Sequence, residues 1–194
     1  MSKNTLFSRR SLISRAGQIS LSAGALALLA GNESLAGKHA SAGGNDVAIL
    51  NVALGLEHEA IAAYQIGAES GLLQKPVLDV AVLFQGQHKG HRDALVATIE
   101  KLGGKPVMAM ATEDYMKSAK LKVSSIRSQA DVLMLAQRLE LGAVNAYLGV
   151  IPAFGDRELA KVAGRLAADE TMHYTALTQA MGAALPSAAL SYGA

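Results

Sequence analysis

The sequence predicts an all-α domain, an antiparallel four-helix bundle with one long crossover between its second and third helices. Three observations carry that prediction. The 194 residues are rich in Leu and Ala and contain no Trp, a composition that favours helices. Four stretches repeat apolar residues at steps of three and four, the period of a helix with one buried face. Two of the connections between these stretches are short turns, whereas the third runs to about two dozen residues.

The N-terminal 42 residues stand outside the bundle. Ser8-Arg9-Arg10-Ser11-Leu12-Ile13 precedes a mildly apolar run from Ile19 to Gly31, followed by small residues up to Ala42. This pattern resembles a twin-arginine secretion signal. The run is shorter than the roughly 20 residues that span a bilayer. The expectation is therefore a removed signal, with export to the periplasm by the twin-arginine machinery and no lasting membrane insertion. Cleavage is expected after Ala42, or after Ala36. The full chain carries a net charge of +2, but 13 Lys and Arg and 15 Asp and Glu lie beyond residue 42, a net charge of −2. The basic excess belongs to the signal, so no nucleic-acid partner is implied. With no cysteine in the chain, disulfides, thiolate catalysis and iron–sulfur clusters are excluded, and any metal must sit on His and carboxylate ligands.

The first bundle helix is expected from about Asp46 to Ser70, after a Gly- and Ala-rich linker. Leu50, Ala53, Leu54, Ile61 and Tyr64 form its inner face and Gly71 stops it. Glu57 lies within that face; Glu59, about 200° round the helix, should face solvent. The second helix begins near Pro76 and ends at Gly103-Gly104. Its stripe is Val77, Ala81, Phe84, His88, His91, Leu95, Ile99 and Leu102, so two histidines occupy core positions. Gly86 and Gly90 weaken this helix by about 1 kcal/mol each relative to Ala, which points to a close neighbour there.

Residues Lys105 to Arg127 show no sustained period beyond a short surface helix at Glu113–Leu121. At about 1.5 Å per residue the second helix is roughly 35–40 Å long. The connection, at about 3.3 Å per residue, can return along that length. The third helix is expected over Ser128–Phe154, capped by Ser128, with Leu133, Ala136, Glu140, Val144, Tyr147 and Ile151 on its face and Pro152 breaking its end. The fourth starts at Asp156 and runs to Met181 along Leu159, Ala163, Leu166, Glu170, His173, Leu177 and Ala180. Residues 43–182 form the predicted bundle, and 183–194 a flexible tail.

Each helix thus puts polar groups where apolar ones belong: Glu57, then His88 and His91, then Glu140, then Glu170 and His173. All lie near mid-helix. Pairs spaced by three share a face. Burying such groups without partners costs a few kcal/mol each, and a metal ion is the natural partner for this mixture. Only four histidines lie beyond residue 42, and three of them fall on these stripes.

On these residues the chain resembles the ferritin-like superfamily, in which two helices each give a Glu and two each give Glu-x-x-His around two metal ions. In bacterioferritin-like members a Tyr near the metals follows the first Glu by seven residues, as Tyr64 follows Glu57. The departure is His88, which stands where the first Glu-x-x-His has its Glu. A neutral imidazole has one free lone pair and does not bridge as that carboxylate does. Three carboxylates then face the +4 of two divalent ions, so a hydroxide, oxide or other anion completes the charge, or one ion binds alone. The donors favour iron or manganese; zinc and copper also accept them.

The resemblance implies an exported metal-binding protein with a di-iron or di-manganese centre that oxidises metal or handles dioxygen or peroxide. Glu57, His88, His91, Glu140, Glu170 and His173 would be the ligands, Glu170 the bridging carboxylate, and Tyr64 a hydrogen-bonding or redox-active neighbour. Tyr147 reads as packing. Asp169 reads as a solvated group or a partner that orients a ligand. The rival enzyme is manganese catalase-like; the rival outside enzymology is a periplasmic stress or desiccation-type protein with a structural metal or none. Without cysteine, a rubrerythrin-like second iron site is disfavoured. A small homo-oligomer or a monomer is expected rather than a storage cage.

Overall fold

A computed structural model describes residues 42–193; the expected signal segment with Arg9 and Arg10 lies outside the described residues. Five α-helices follow in order: α1 (Ala42–Glu69), α2 (Lys75–Lys101), α3 (Thr112–Lys117), α4 (Gln129–Val150) and α5 (Arg157–Ala180). Short 3-10 turns occupy Val123–Ser125 and Ile151–Ala153, and there is no strand among the described residues.

Contacts across the bundle fix its directions. On α2, Gln85 donates to the Ile61 carbonyl and His88 meets Glu57, so α1 and α2 run antiparallel. Tyr147 bonds Glu57 while Tyr64 bonds Glu140, which makes α4 antiparallel to α1. Gln137 donates to Thr178, and His173 lies beside Glu140, so α5 returns along α4. With α2 and α4 both antiparallel to α1, they are parallel to each other, and residues 102–128 make the long crossover.

The helix ends follow local chemistry. The Ser128 and Asp156 side chains accept the Asp131 and Glu158 amides, each such cap stabilising by about 1 kcal/mol. Pro152 does end the third bundle helix: α4 stops at Val150 and the proline sits in the 3-10 turn. Gly103, at φ +76°, turns the chain after α2. Next to it a Cβ on Gly104 would fall 2.5 Å from Val47, so α1 and the α2 stop can meet only across a glycine.

The polar layer lies between two apolar ones. Toward the α1 N-terminus, Leu50, Leu54, Leu95, Ile99, Tyr147, Leu159 and Leu166 form one cluster. Toward the α1–α2 turn, Tyr64, Phe84, Leu133 and Leu177 form another. A fully buried side chain such as Leu54 or Ile99 stabilises by about 1.5–3 kcal/mol. By length and composition α1 could cross a membrane, but its apolar side faces this core.

Several local expectations are corrected. The first helix begins at Ala42, four residues before Asp46. Asp46 itself is buried, where it accepts the Gly155 and Asp156 amides and ties α1 to the α4–α5 turn. Gly86 and Gly90 have no close neighbour: a Cβ on either would meet nothing within 4 Å. Close approach instead occurs at Gly67, where a Cβ would lie 2.9 Å from Val132. Leu102 is exposed at the end of α2. Glu59 does not point into open solvent; it is mostly covered and pairs with Lys120 at 2.6 Å.

The crossover is more anchored than its irregular sequence implies. Asn51 bonds both Lys105 and Val107, and Tyr115 and Leu121 are buried against Ala63 and Leu135. The short helix within it spans Thr112–Lys117 rather than reaching Leu121. Residues 183–191, within the segment expected as a flexible tail, are exposed, and only the end touches the bundle. Tyr192 packs edge-on against Tyr174, and Gly193 donates to Asn145.

Candidate metal centre

All six stripe residues meet in the polar layer. Glu57, His88, Glu140, Glu170 and His173 are each no more than 1 % exposed, while His91 is 12 % exposed at the edge of the layer. Two sets of four side chains each bring one ligand atom per residue within 4.8 Å of the others: Glu57, His88, His91 and Glu170, and His88, Glu140, Glu170 and His173. Glu170 and His88 belong to both.

The two halves are near copies. In the first, His91 Nδ1 lies 3.3 Å from Glu170 Oε1 and 3.7 Å from Glu57 Oε1. In the second, His173 Nδ1 lies 3.1 Å from Glu170 Oε2 and 3.4 Å from Glu140 Oε2. Four ligands at about 2.0–2.1 Å from an ion stand about 3.3 Å apart when tetrahedral, so these separations fit a metal. A second observation agrees. His91 Nδ1, Glu140 Oε2 and Glu170 Oε1 are buried with no hydrogen-bond partner, an arrangement that costs about 1–3 kcal/mol per group unless something binds there.

The outward nitrogens explain why the inward ones are available. His91 Nε2–H donates to Asp169 at 3.2 Å, and His173 Nε2–H donates to Gln87 Oε1 at 2.6 Å. Each bond fixes its ring and turns its Nδ1 toward the centre. His88 differs: its Nδ1 meets Glu57 Oε2 at 2.8 Å and its Nε2 meets Glu140 Oε1 at 3.2 Å. Its ring spans the two halves.

Charge is balanced by these contacts when no ion is bound. Burial opposes ionisation of Glu57, yet its hydrogen bond with His88 and the nearby His91 ring hold its pKa down at about 2. Burial likewise opposes charge on Glu140, which His173 and His88 hold well below the usual carboxylate range. Burial works against His88 and His91 as cations, but the carboxylates beside them raise their pKa values to about 11 and about 10. Glu170 is pushed up, burial outweighing His173 and His91. Burial and a neighbouring carboxylate raise both tyrosines, Tyr64 by Glu140 and Tyr147 by Glu57, so they stay protonated donors.

Tyr64 does touch the cluster, through Glu140 rather than through the Glu57 that precedes it. Tyr147, read as packing, has the same role toward Glu57. A signal for it was present: Glu57 and Glu140 are each followed by Tyr after seven residues, and the antiparallel pairing of α1 and α4 exchanges the partners. Gln87 was missed, and nothing in its spacing marks it. Asp169 is the partner of His91, while Arg92 and Asp93 pair with each other.

A cavity of about 270 Å³ is walled in part by Tyr64, whose hydroxyl bonds Glu140 of the cluster. Its walls include Ala63, Val77, Ala81, Leu133, Ala136 and the exposed Val80, with Tyr64 the only polar side chain.

The family model described as a ferritin-like domain matches residues 45–183. No curated protein matches the chain. Among solved structures, the chain is similar to a conserved hypothetical protein, Rv2844, from Mycobacterium tuberculosis. The TM-score is 0.64 at 25% sequence identity, covering 77% of this chain and 99% of that one.

Proposed function

The chain belongs to the ferritin-like domain family, and from that premise we propose that it holds two redox-active ions, iron or manganese, for metal oxidation or for handling dioxygen or peroxide. The observation that carries the reading is the pair of four-residue sets sharing Glu170 and His88. Glu57 and His91 would hold one ion and Glu140 and His173 the other, with one oxygen of Glu170 toward each. The donor set of carboxylate and imidazole suits iron and manganese. When bound, such ions supply the electrons that reduce an oxidant.

The protein's own groups do the rest. Tyr64 and Tyr147 each hold a proton against a carboxylate of the centre. Phe84, stacked 4.1 Å from the His173 ring, helps to keep water out. The apolar cavity offers an uncharged oxidant a way to Tyr64 that a hydrated ion would not take. The reading includes export: Arg9 and Arg10 stand in a twin-arginine pattern, and replacing both with Lys should leave the protein in the cytoplasmic fraction.

One observation favours a second, non-catalytic reading. His88 already joins Glu57 to Glu140, so the cluster can stand as a self-neutralised polar network in a stress or desiccation-type protein. Dioxygen consumption on adding ferrous iron separates the two. The enzyme reading expects consumption in the wild type and its loss in Glu170→Ala and Glu140→Ala with helicity retained; a wild type that binds no metal and consumes no dioxygen removes it.

A further inference from the structure

We infer that His88 bridges the two metal positions through both of its ring nitrogens, as an imidazolate, replacing the bridging carboxylate that Glu-x-x-His would have supplied. The inference rests on the reading above that the centre holds two ions.

The three histidines of the cluster are not equivalent. His91 and His173 each commit one nitrogen to a side chain outside the two ligand sets, Asp169 and Gln87. Each therefore has a single nitrogen to offer and can only be a terminal ligand. His88 commits neither nitrogen outside the sets. Its Nδ1 faces Glu57 Oε2 at 2.8 Å and Glu170 Oε1 at 3.7 Å, both in the first set. Its Nε2 faces Glu140 Oε1 at 3.2 Å, in the second. The ring is 1 % exposed and enclosed by Tyr64, His91 and His173, with centroids at 5.3, 5.8 and 5.1 Å, so the ring is held across the two sets.

Charge points the same way. Two divalent ions bring +4, and Glu57, Glu140 and Glu170 return −3. A ring that has given up both N–H protons adds the missing negative charge and a lone pair at each end. As the ions take the places of those protons, the protons pass to solvent; no electron moves. Bridging and charge are thus supplied by one group.

The bridge has a geometric signature. With metal–nitrogen bonds of about 2.0–2.1 Å, ions on opposite sides of one imidazole ring lie about 6 Å apart. Two-metal sites whose ions share a bridging oxygen atom or paired carboxylates hold them at roughly 3.5–4 Å; Glu170 alone, with one oxygen toward each ion, spans either separation.

The test is to load the purified protein with Co(II) without air, count cobalt by elemental analysis, and locate it by anomalous scattering in crystals and by X-ray absorption in solution. We expect two cobalt ions per chain, about 6 Å apart on either side of His88. His88→Glu should keep two ions but draw them together to roughly 3.5–4 Å, and His88→Gln, chosen to preserve the fold, should weaken the second ion at least tenfold. Two ions already within about 4 Å in the wild type, or an unchanged separation in His88→Glu, would overturn the bridge while leaving the two-metal reading intact. A single ion per chain overturns the bridge and the count together, and no bound cobalt removes the metal reading itself.

Discussion

Removing Glu57 tests the cluster as a folding element before any metal is added. The carboxylate is 1 % exposed. One oxygen accepts the Tyr147 hydroxyl and the other accepts His88 Nδ1–H. Glu57→Ala leaves a buried hydroxyl and a buried cationic ring without those acceptors. Breaking a buried ion pair in this way costs about 3–5 kcal/mol, a large share of the roughly 5–15 kcal/mol that holds a domain folded. At about 2–4 °C per kcal/mol for a domain of this size, the melting temperature should fall by about 6–20 °C.

Urea unfolding followed by circular dichroism, with a chelator present, measures the loss directly. Its pH dependence has a definite sign. Glu57 has its pKa lowered from 4.5 to about 2 in the fold, so its contribution is complete above pH 4.5 and is lost as pH falls toward 2. His88 is raised from 6.5 to about 11, so its contribution is complete below pH 6.5 and is lost as pH rises toward 11. The penalty of Glu57→Ala should therefore be largest between about pH 5 and 6 and shrink on both sides. Glu57→Gln, which keeps an oxygen for Tyr147, should lose less. A penalty below about 1 kcal/mol at pH 6, or one that does not change by pH 10, would refute the reasoning.

Three further predictions follow from the same geometry. Tyr64→Phe and Tyr147→Phe each delete one hydrogen bond to a carboxylate and should destabilise the metal-free protein by about 1.5–3 kcal/mol; a large effect at only one of them in urea unfolding would contradict their equivalence. Gln87→Ala and Asp169→Ala free the outer nitrogens of His173 and His91 and should weaken metal binding by about 10–100-fold at unchanged helicity, read by calorimetric titration; affinity equal to wild type in both would show that the outer bonds do not orient the rings. Because an entering ion displaces protons that His88 and His91 hold up to about pH 11 and about pH 10, metal affinity should climb from pH 6 to pH 9, with a binding heat that depends on the buffer. A flat profile would contradict that exchange.

The meeting of six polar side chains was legible because buried polar groups at core spacing are costly and therefore informative. Glu57 and Glu140, the His88–His91 pair and the Glu170–His173 pair each interrupt an apolar stripe, and connection lengths alone were enough to set the helices antiparallel with one crossover. What stayed hidden depends on alignment between helices. Tyr147 looks like packing until the antiparallel pairing of α1 and α4 lays it on Glu57. Gln87 becomes a partner of His173 only once α2 and α5 lie side by side. The angle of Glu59 on its own helix points to solvent, but the crossover covers it and brings Lys120 to it. The glycines misled for a related reason: helix propensity marks Gly86 and Gly90 as costly but cannot say whether a neighbour is near, and the close contacts lie at Gly67 and Gly104. His88 was visible as a departure, but its position with one nitrogen in each half needed coordinates.

Counting metal tests the central claim most directly. Protein loaded with ferrous iron under strict exclusion of air, then freed of loosely bound ions and analysed for iron per chain, should hold two in the wild type. Glu170→Ala, which removes the one carboxylate common to both halves, should hold at most one, weakly. A wild type that retains no iron, or a Glu170→Ala protein that retains as much as the wild type, would contradict the account.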